Sequence, residues 1–202
     1  MSGLALIPTG TANLASVVAA FRRLGIDPVI ARDGSVVETA GRTVVPGVGS
    51  FGAAMAEVDR LGIRHALRQR LEDGRPTLAI CVGMQLLAGE SEESAGTEGI
   101  EHVPNRVTRF PGTVRVPQLG WNRVSAGPGC RFVRDGWAYF ANSYRIEDSP
   151  EGWSFAVADH GGRFVAALER GDVLACQFHP ELSGRWGSGI LESWLNATGR
   201  AG

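Results

Sequence analysis

The chain has 202 residues, 44% of them hydrophobic and 20% charged, the balance of a soluble globular protein long enough for one α/β domain and short for two. Its formal net charge of −1 leaves no basic field to mark nucleic acid or an anionic membrane as a partner. All 20 basic residues are arginine, which excludes a P-loop lysine, a pyridoxal Schiff base and a Ser-Lys nucleophile.

Residues 4–7 predict a short apolar strand ending in Pro8-Thr9-Gly10. Leu14, Val17, Val18, Phe21 and Leu24 then recur at helical spacing, with a stop at Gly25. Residues 29–31 and 43–45 predict two further strands, the later one ending abruptly at Pro46-Gly47-Val48-Gly49. Residues 53–71 read as one or two helices interrupted at Gly62, residues 77–80 as a fourth strand, and residues 82–88 as the start of another helix. The acidic run Glu90-Ser91-Glu92-Glu93 reads as a solvated helix end. Apolar strands alternating with amphipathic helices imply a parallel sheet covered on both faces.

From about Pro104 the pattern changes to short strands, at 137–144, 153–159, 164–169 and 173–178. Turn signals separate them at Gly127-Pro128-Gly129, Gly161-Gly162 and Gly171-Asp172. A closing helix at 190–195 places Ile190, Leu191, Trp194 and Leu195 on one side. Residues 1–202 therefore read as one α/β domain with a mixed sheet. The N-terminus has no basic flank or cleavage signal, and no apolar run approaches the ~20 residues of a membrane span. The expectation is a cytoplasmic protein.

Cysteines stand at 81, 130 and 176, an odd number without a CxxC pair, which argues against a disulfide framework and against structural zinc. Cys81 sits where an apolar strand gives way to a helix, the arrangement of a nucleophile elbow, with the small residues Ala79 and Gly83 where backbones must pass closely. A helix N-terminus favours thiolate over thiol, and the Val82 N–H follows the nucleophile, where it would donate to a developing oxyanion. Standing alone, a strand cysteine is more often an apolar core residue.

His65, His102 and His160 lie in polar contexts that read as surface. His179 instead ends a strand and is followed by Pro180-Glu181, so the chain leaves the sheet where the imidazole is presented. Glu181 is placed to orient one ring nitrogen and leave the other for a nucleophile. Pro46-Gly47-Val48-Gly49 has the wrong spacing for a dinucleotide loop; beside an elbow it would supply a second oxyanion donor from the Val48 amide, or cradle a substrate. Otherwise it is a tight turn.

The segments VVPGVGSFGAAM, ICVGMQLL and CQFHPELSG together resemble the class I (triad) glutamine amidotransferases. VPQLGWN at 116–122 and YFANSYR at 139–145 narrow the resemblance to the glutaminase subunits of imidazole glycerol phosphate synthase, and it spans almost the whole chain from 9–17 onward. It implies a single three-layer, flavodoxin-like domain whose central, mainly parallel sheet is flanked by helices. It implies a triad of Cys81, His179 and Glu181, oxyanion donors at Val48 and Val82, and glutamine held by Gly49, Gln85, Glu93, Ser143 and Tyr144. In an inactive state the 46–49 peptide would point the wrong way. Asn13 and Trp121 would face a (β/α)8 cyclase subunit in a 1:1 heterodimer that receives the ammonia, with no metal or organic cofactor. The products would be imidazole glycerol phosphate and an aminoimidazole carboxamide ribotide.

The chain departs from that pattern at Pro8-Thr9, where an Asp-led pair is common, at Ala79 for glycine, at Asn142 for histidine, and at Leu182. The last replaces a Lys or Arg that would reach the cyclase, which puts the coupling between subunits in question rather than the triad. Alternative readings are a paralogue feeding a cyclase-like synthase of amidino sugars, a partner-free cysteine peptidase or γ-glutamyl hydrolase, and a non-enzymatic interaction subunit. Cys176 reads as core, and Cys130 has no role.

Overall fold

A computed structural model describes residues 3–10 and 14–199. The first half runs β1 (Leu4–Leu6), α1 (Leu14–Arg23), β2 (Val29–Ile30), α2 (Gly34–Thr39), β3 (Arg42–Val45), α3 (Phe51–Arg60), α4 (Arg64–Glu72), β4 (Thr77–Ile80) and α5 (Val82–Gln85). The second half runs β5 (Glu90–Ser91), β6 (Arg106–Arg109), β7 (Gln118–Ala126), β8 (Gly136–Asn142), β9 (Tyr144–Arg145), β10 (Ser154–Asp159), β11 (Arg163–Arg170), β12 (Val173–Cys176) and α6 (Gly184–Thr198). A 3-10 turn over Pro180–Leu182 joins the last two.

Nine strands form one mixed sheet in the order β2-β1-β3-β4-β12-β11-β10-β7-β8. The first five are parallel and the rest antiparallel. Every residue of β4 (TLAI) and β12 (VLAC) is buried, as expected of central strands covered on both faces by helices. A smaller sheet, β5-β6-β9, closes one side. The expected α/β architecture, a large mixed sheet flanked by helices, is the one observed.

Local chemistry accounts for the boundaries. Gly62, at φ +65°, separates α3 from α4. Helix α2 is too short to show a period in the sequence; Asp33 caps it, its carboxylate accepting from Ser35 N–H and Val36 N–H at 3.0 and 3.3 Å. The helix expected over 82–88 stops after Gln85, because the Leu86 and Leu87 carbonyls accept from Ile100 and Val103 N–H rather than from another helical turn. Glu90 and Ser91 belong to a strand, not to a helix end. The strand expected over 173–178 ends at Cys176, where the chain swings across: Gln177 N–H still reaches Ala166, but His179 N–H donates to Tyr139 of β8 at 2.9 Å. Helix α6 is longer than its apolar stripe suggested, and that stripe (Ile190, Leu191, Trp194, Leu195) is buried.

Candidate active site

Strands β4 and β12 are parallel neighbours in register, Ile80 beside Cys176, so both chains leave the sheet at the same edge. Cys81 follows β4 directly and adopts φ 54°, ψ −111°, a conformation that costs a non-glycine residue about 1–3 kcal/mol. Its N–H donates to the Cys176 carbonyl at 2.6 Å, which anchors the turn to the next strand. The elbow packs so tightly that a Cβ on Gly83 would overlap the Val45 carbonyl, and one on Gly47 would lie 2.7 Å from the Val82 Cβ.

His179 stands on the other side. Its Nδ1 lies 2.9 Å from Glu181 Oε1, with the two side chains only 4% and 3% exposed. Burial by itself pushes the imidazole down, but the Cys81 sulfur and the Glu181 carboxylate more than offset this, and the ring is raised to about 10. The sulfur is near enough to act on the ring electrostatically, although Nε2 makes no well-aligned hydrogen bond among the described residues. The Ser183 hydroxyl donates to the His179 carbonyl at 2.6 Å and accepts from Tyr139 N–H at 3.0 Å, tying His179 to β8.

Beside the elbow lies a cavity of about 90 Å³ lined by Val48, Gly49, Cys81, Val82, Gln85, Glu93, Ala141, Asn142, Ser143 and Tyr144; His179 and Glu181 stand behind Cys81 and do not line it. It gathers the candidate nucleophile, both candidate oxyanion residues and all five candidate glutamine-binding residues. The Val82 N–H is engaged by the Gly47 carbonyl at 3.3 Å. Glu93 Oε2 accepts from Phe51 N–H at 2.7 Å, and Ser94 Oγ accepts from Gly52 N–H at 3.0 Å, so the acidic run fastens the start of α3 beside the 46–49 turn.

Of two buried amides on the β7–β8 hairpin, Asn142 lines the cavity and Gln118 does not. Gln118 and Asn142 are directly paired across β7 and β8; neither Gln118 amide atom nor Asn142 Oδ1 has a partner among the described residues. Asn142 Nδ2 donates to the Tyr144 carbonyl at 2.9 Å. Gln177, not singled out in the sequence, donates from Nε2 to Cys81 Sγ at 3.7 Å. Its signal was a polar residue interrupting the apolar run Val173-Leu174-Ala175-Cys176 just before His179.

Trp121 and Leu182 are exposed and lie apart from the cavity. Trp121 shares the outer face of the β7–β8 hairpin with Leu119, Arg123, Trp137, Tyr139 and Ala141; Leu119, Trp121 and Trp137 are 67%, 55% and 59% exposed. Asn13 lies outside the described residues. Of the other histidines, His65 is exposed and His160 Nε2 lies 2.8 Å from the Arg115 carbonyl. His102 is half-buried rather than simply at the surface; burial, then the neighbouring Arg170, push it down to about 4. Cys176 is buried and Cys130 partly so. No cluster of His, Cys, Asp and Glu suited to a metal ion occurs among the described residues, and no helix there is long and apolar enough to cross a membrane.

Residues 6–196 match the model of the class-I glutamine amidotransferase family, and the chain belongs to that family. A solved structure described as a glutamine amidotransferase superimposes with a TM-score of 0.78 at 21% identity, covering 97% of this chain and 98% of its own. The imidazole glycerol phosphate synthase subunit HisH of Methanothermobacter thermautotrophicus is 38% identical over 195 residues, 95% of this chain and 97% of that protein. The chloroplastic imidazole glycerol phosphate synthase hisHF of Arabidopsis thaliana is 36% identical over 96% of this chain, which spans 34% of that longer protein. Within the class, the chain therefore falls in the HisH family of synthase subunits.

Proposed function

We propose that the chain is the glutaminase subunit of imidazole glycerol phosphate synthase, with Cys81 as nucleophile, His179 as proton carrier and Glu181 as its orienting carboxylate. The observation that carries this is the junction of β4 and β12, which presents a strained cysteine to one small cavity and holds beside its sulfur a histidine bound to a carboxylate. The Cys81 thiolate attacks the side-chain carbonyl carbon of glutamine, and the negative charge collects on its oxygen. Collapse of that adduct breaks the C–N bond while His179 gives its proton to the departing nitrogen, so ammonia leaves and a γ-glutamyl thioester remains. Water, losing a proton to His179, then cleaves the thioester to glutamate and restores the Cys81 thiolate beside a protonated His179.

Gly49, Gln85, Glu93, Ser143 and Tyr144 hold the glutamine, with the Glu93 carboxylate toward its ammonium group. Val48 and Val82 N–H groups stabilise the oxyanion. For Val82 this requires the Gly47 carbonyl, its present acceptor at 3.3 Å, to turn away. The resting state is therefore one of low activity, raised when a bound partner shifts the population of the 46–49 peptide.

The partner is a (β/α)8 cyclase subunit in a 1:1 heterodimer, which consumes the ammonia to form imidazole glycerol phosphate and the aminoimidazole carboxamide ribotide. The part of the Arabidopsis relative beyond the matched 34% gives room for such a subunit in the same chain. Trp121 and its exposed neighbours on the β7–β8 hairpin form the docking face, together with Leu182, whose apolar side chain makes the contact depend on packing rather than on an ion pair. Glutamate release from glutamine, measured for the chain alone and with the cyclase and its ribotide ligand, tests the assignment. Stimulation that disappears in Cys81→Ala is expected. No stimulation, with Cys81 still alkylated by a glutamine-analogue electrophile, would assign the chain to another synthase, and silence in both assays would remove the enzyme reading.

A further inference from the structure

Gln177 has no exposed surface. A buried amide is costly unless paired, so its partners define why it is there. Its Nε2 donates to Cys81 Sγ at 3.7 Å, and its Oε1 accepts from Gln85 Nε2 at 3.0 Å. The same Gln85 nitrogen donates to the Tyr144 carbonyl at 3.2 Å.

The direction of this relay is fixed from its far end. A backbone carbonyl only accepts, so the Tyr144 oxygen decides which end of the Gln85 amide is the amine. That amine needs an acceptor from Gln177, which turns the Gln177 oxygen toward Gln85 and its N–H toward the sulfur. A donor held against sulfur favours the thiolate, which accepts, over the thiol.

We propose that Gln177 is a further catalytic residue, whose amide N–H holds the Cys81 sulfur as a thiolate oriented by Gln85 and the Tyr144 carbonyl. This rests on Cys81 being the nucleophile. Because Gln85 and Tyr144 also line the cavity, the relay joins the wall that would contact glutamine to the atom that attacks it. The competing account is a core amide whose bonds serve packing alone.

The test is the pH dependence of Cys81 alkylation by iodoacetamide, followed residue by residue by mass spectrometry in the full-length chain. Gln177→Met keeps the length of the side chain and removes the donor; Gln177→Glu keeps its shape and leaves only acceptors while ionised. Both are expected to move the half-maximal pH of alkylation upward by about one unit. Both are also expected to lower glutaminase kcat about 10-fold with little change in KM. A role in packing alone would lower the melting temperature and leave the alkylation curve in place, and that result overturns the proposal. Should Gln177→Met fail to fold, Gln177→Glu decides. Gln85→Met, which leaves Gln177 present but unlocked, is expected to shift the same curve by less. A wild-type chain that iodoacetamide alkylates normally, but that releases no glutamate with the cyclase and resists a glutamine-analogue electrophile, would sink the glutaminase assignment and leave the relay standing; an unshifted curve with active wild type would do the reverse.

Discussion

Gly83 lies against Val45 so closely that a single added methyl would overlap the Val45 carbonyl oxygen. The contact joins the residue two past Cys81 to the last residue of β3, so the elbow is braced by backbone, which cannot yield as a flexible side chain would. Gly83→Ala is therefore expected to displace the elbow, with a loss of about 1–3 kcal/mol of stability from overpacking. Urea unfolding gives the magnitude. Glutaminase activity should fall together with Cys81 alkylation, and a variant of wild-type stability and rate would show that the turn relaxes.

The His179 imidazole gives the chain a stability term that depends on pH. Its folded value of about 10 lies above the ordinary 6.5, so the folded state holds the proton more tightly than the unfolded chain does. That contribution is fully present below about pH 6.5 and is lost as pH rises through about 10. Glu181→Gln removes one of the two groups that raise the imidazole, and is expected to flatten this alkaline loss and to lower the histidine titration midpoint seen by NMR. Parallel pH–stability curves for the two proteins would contradict the assignment.

Gln118 carries a desolvation cost in the fold. Both of its amide atoms are buried and unpartnered among the described residues. Replacing the amide with a thioether of similar length removes that desolvation penalty. Gln118→Met should stabilise the chain by about 1 kcal/mol, read from the denaturation midpoint at unchanged m-value. A destabilised variant would mean that the amide is satisfied in solution.

Trp121 contributes little to the isolated fold, being more than half exposed. Trp121→Ala should leave the melting temperature of the free chain within a degree or two, as solvent-facing substitutions generally do. A buried tryptophan anchor at an interface contributes about 2 kcal/mol or more, so affinity for the cyclase should fall about 30-fold or further, as titration calorimetry would show. Unchanged affinity would move the docking face elsewhere.

The parallel half was legible because each strand is a continuous apolar run and each long helix carries one apolar stripe. Cys81, with small residues on either side, and His179, with the proline and glutamate after it, were visible for the same reason: their backbone demands leave marks in neighbouring residue types. Helix α2 was not, since six residues held by the Asp33 cap show no period. The end of α5 was hidden because it depends on carbonyls claimed by residues 100–103, far along the chain. Gln177 stood in plain view as a polar residue in an apolar run, but its partner sulfur becomes apparent only once β4 and β12 lie side by side.

Strand β8 runs from an exposed apolar face into the cavity wall. Trp137 and Tyr139 lie on the outer face of the hairpin, Ala138 and Phe140 are buried in the core, and Ala141 and Asn142 already line the cavity with Ser143 and Tyr144 after them, while the Tyr139 carbonyl receives the His179 N–H. Outer face and cavity wall are thus consecutive stretches of one seven-residue strand and the residues that follow it. Because a slip of one residue turns every side chain of a strand to the opposite face, an insertion or deletion in β8 would expose Ala138 and Phe140, and would move the cavity wall and the acceptor of the His179 N–H in the same step.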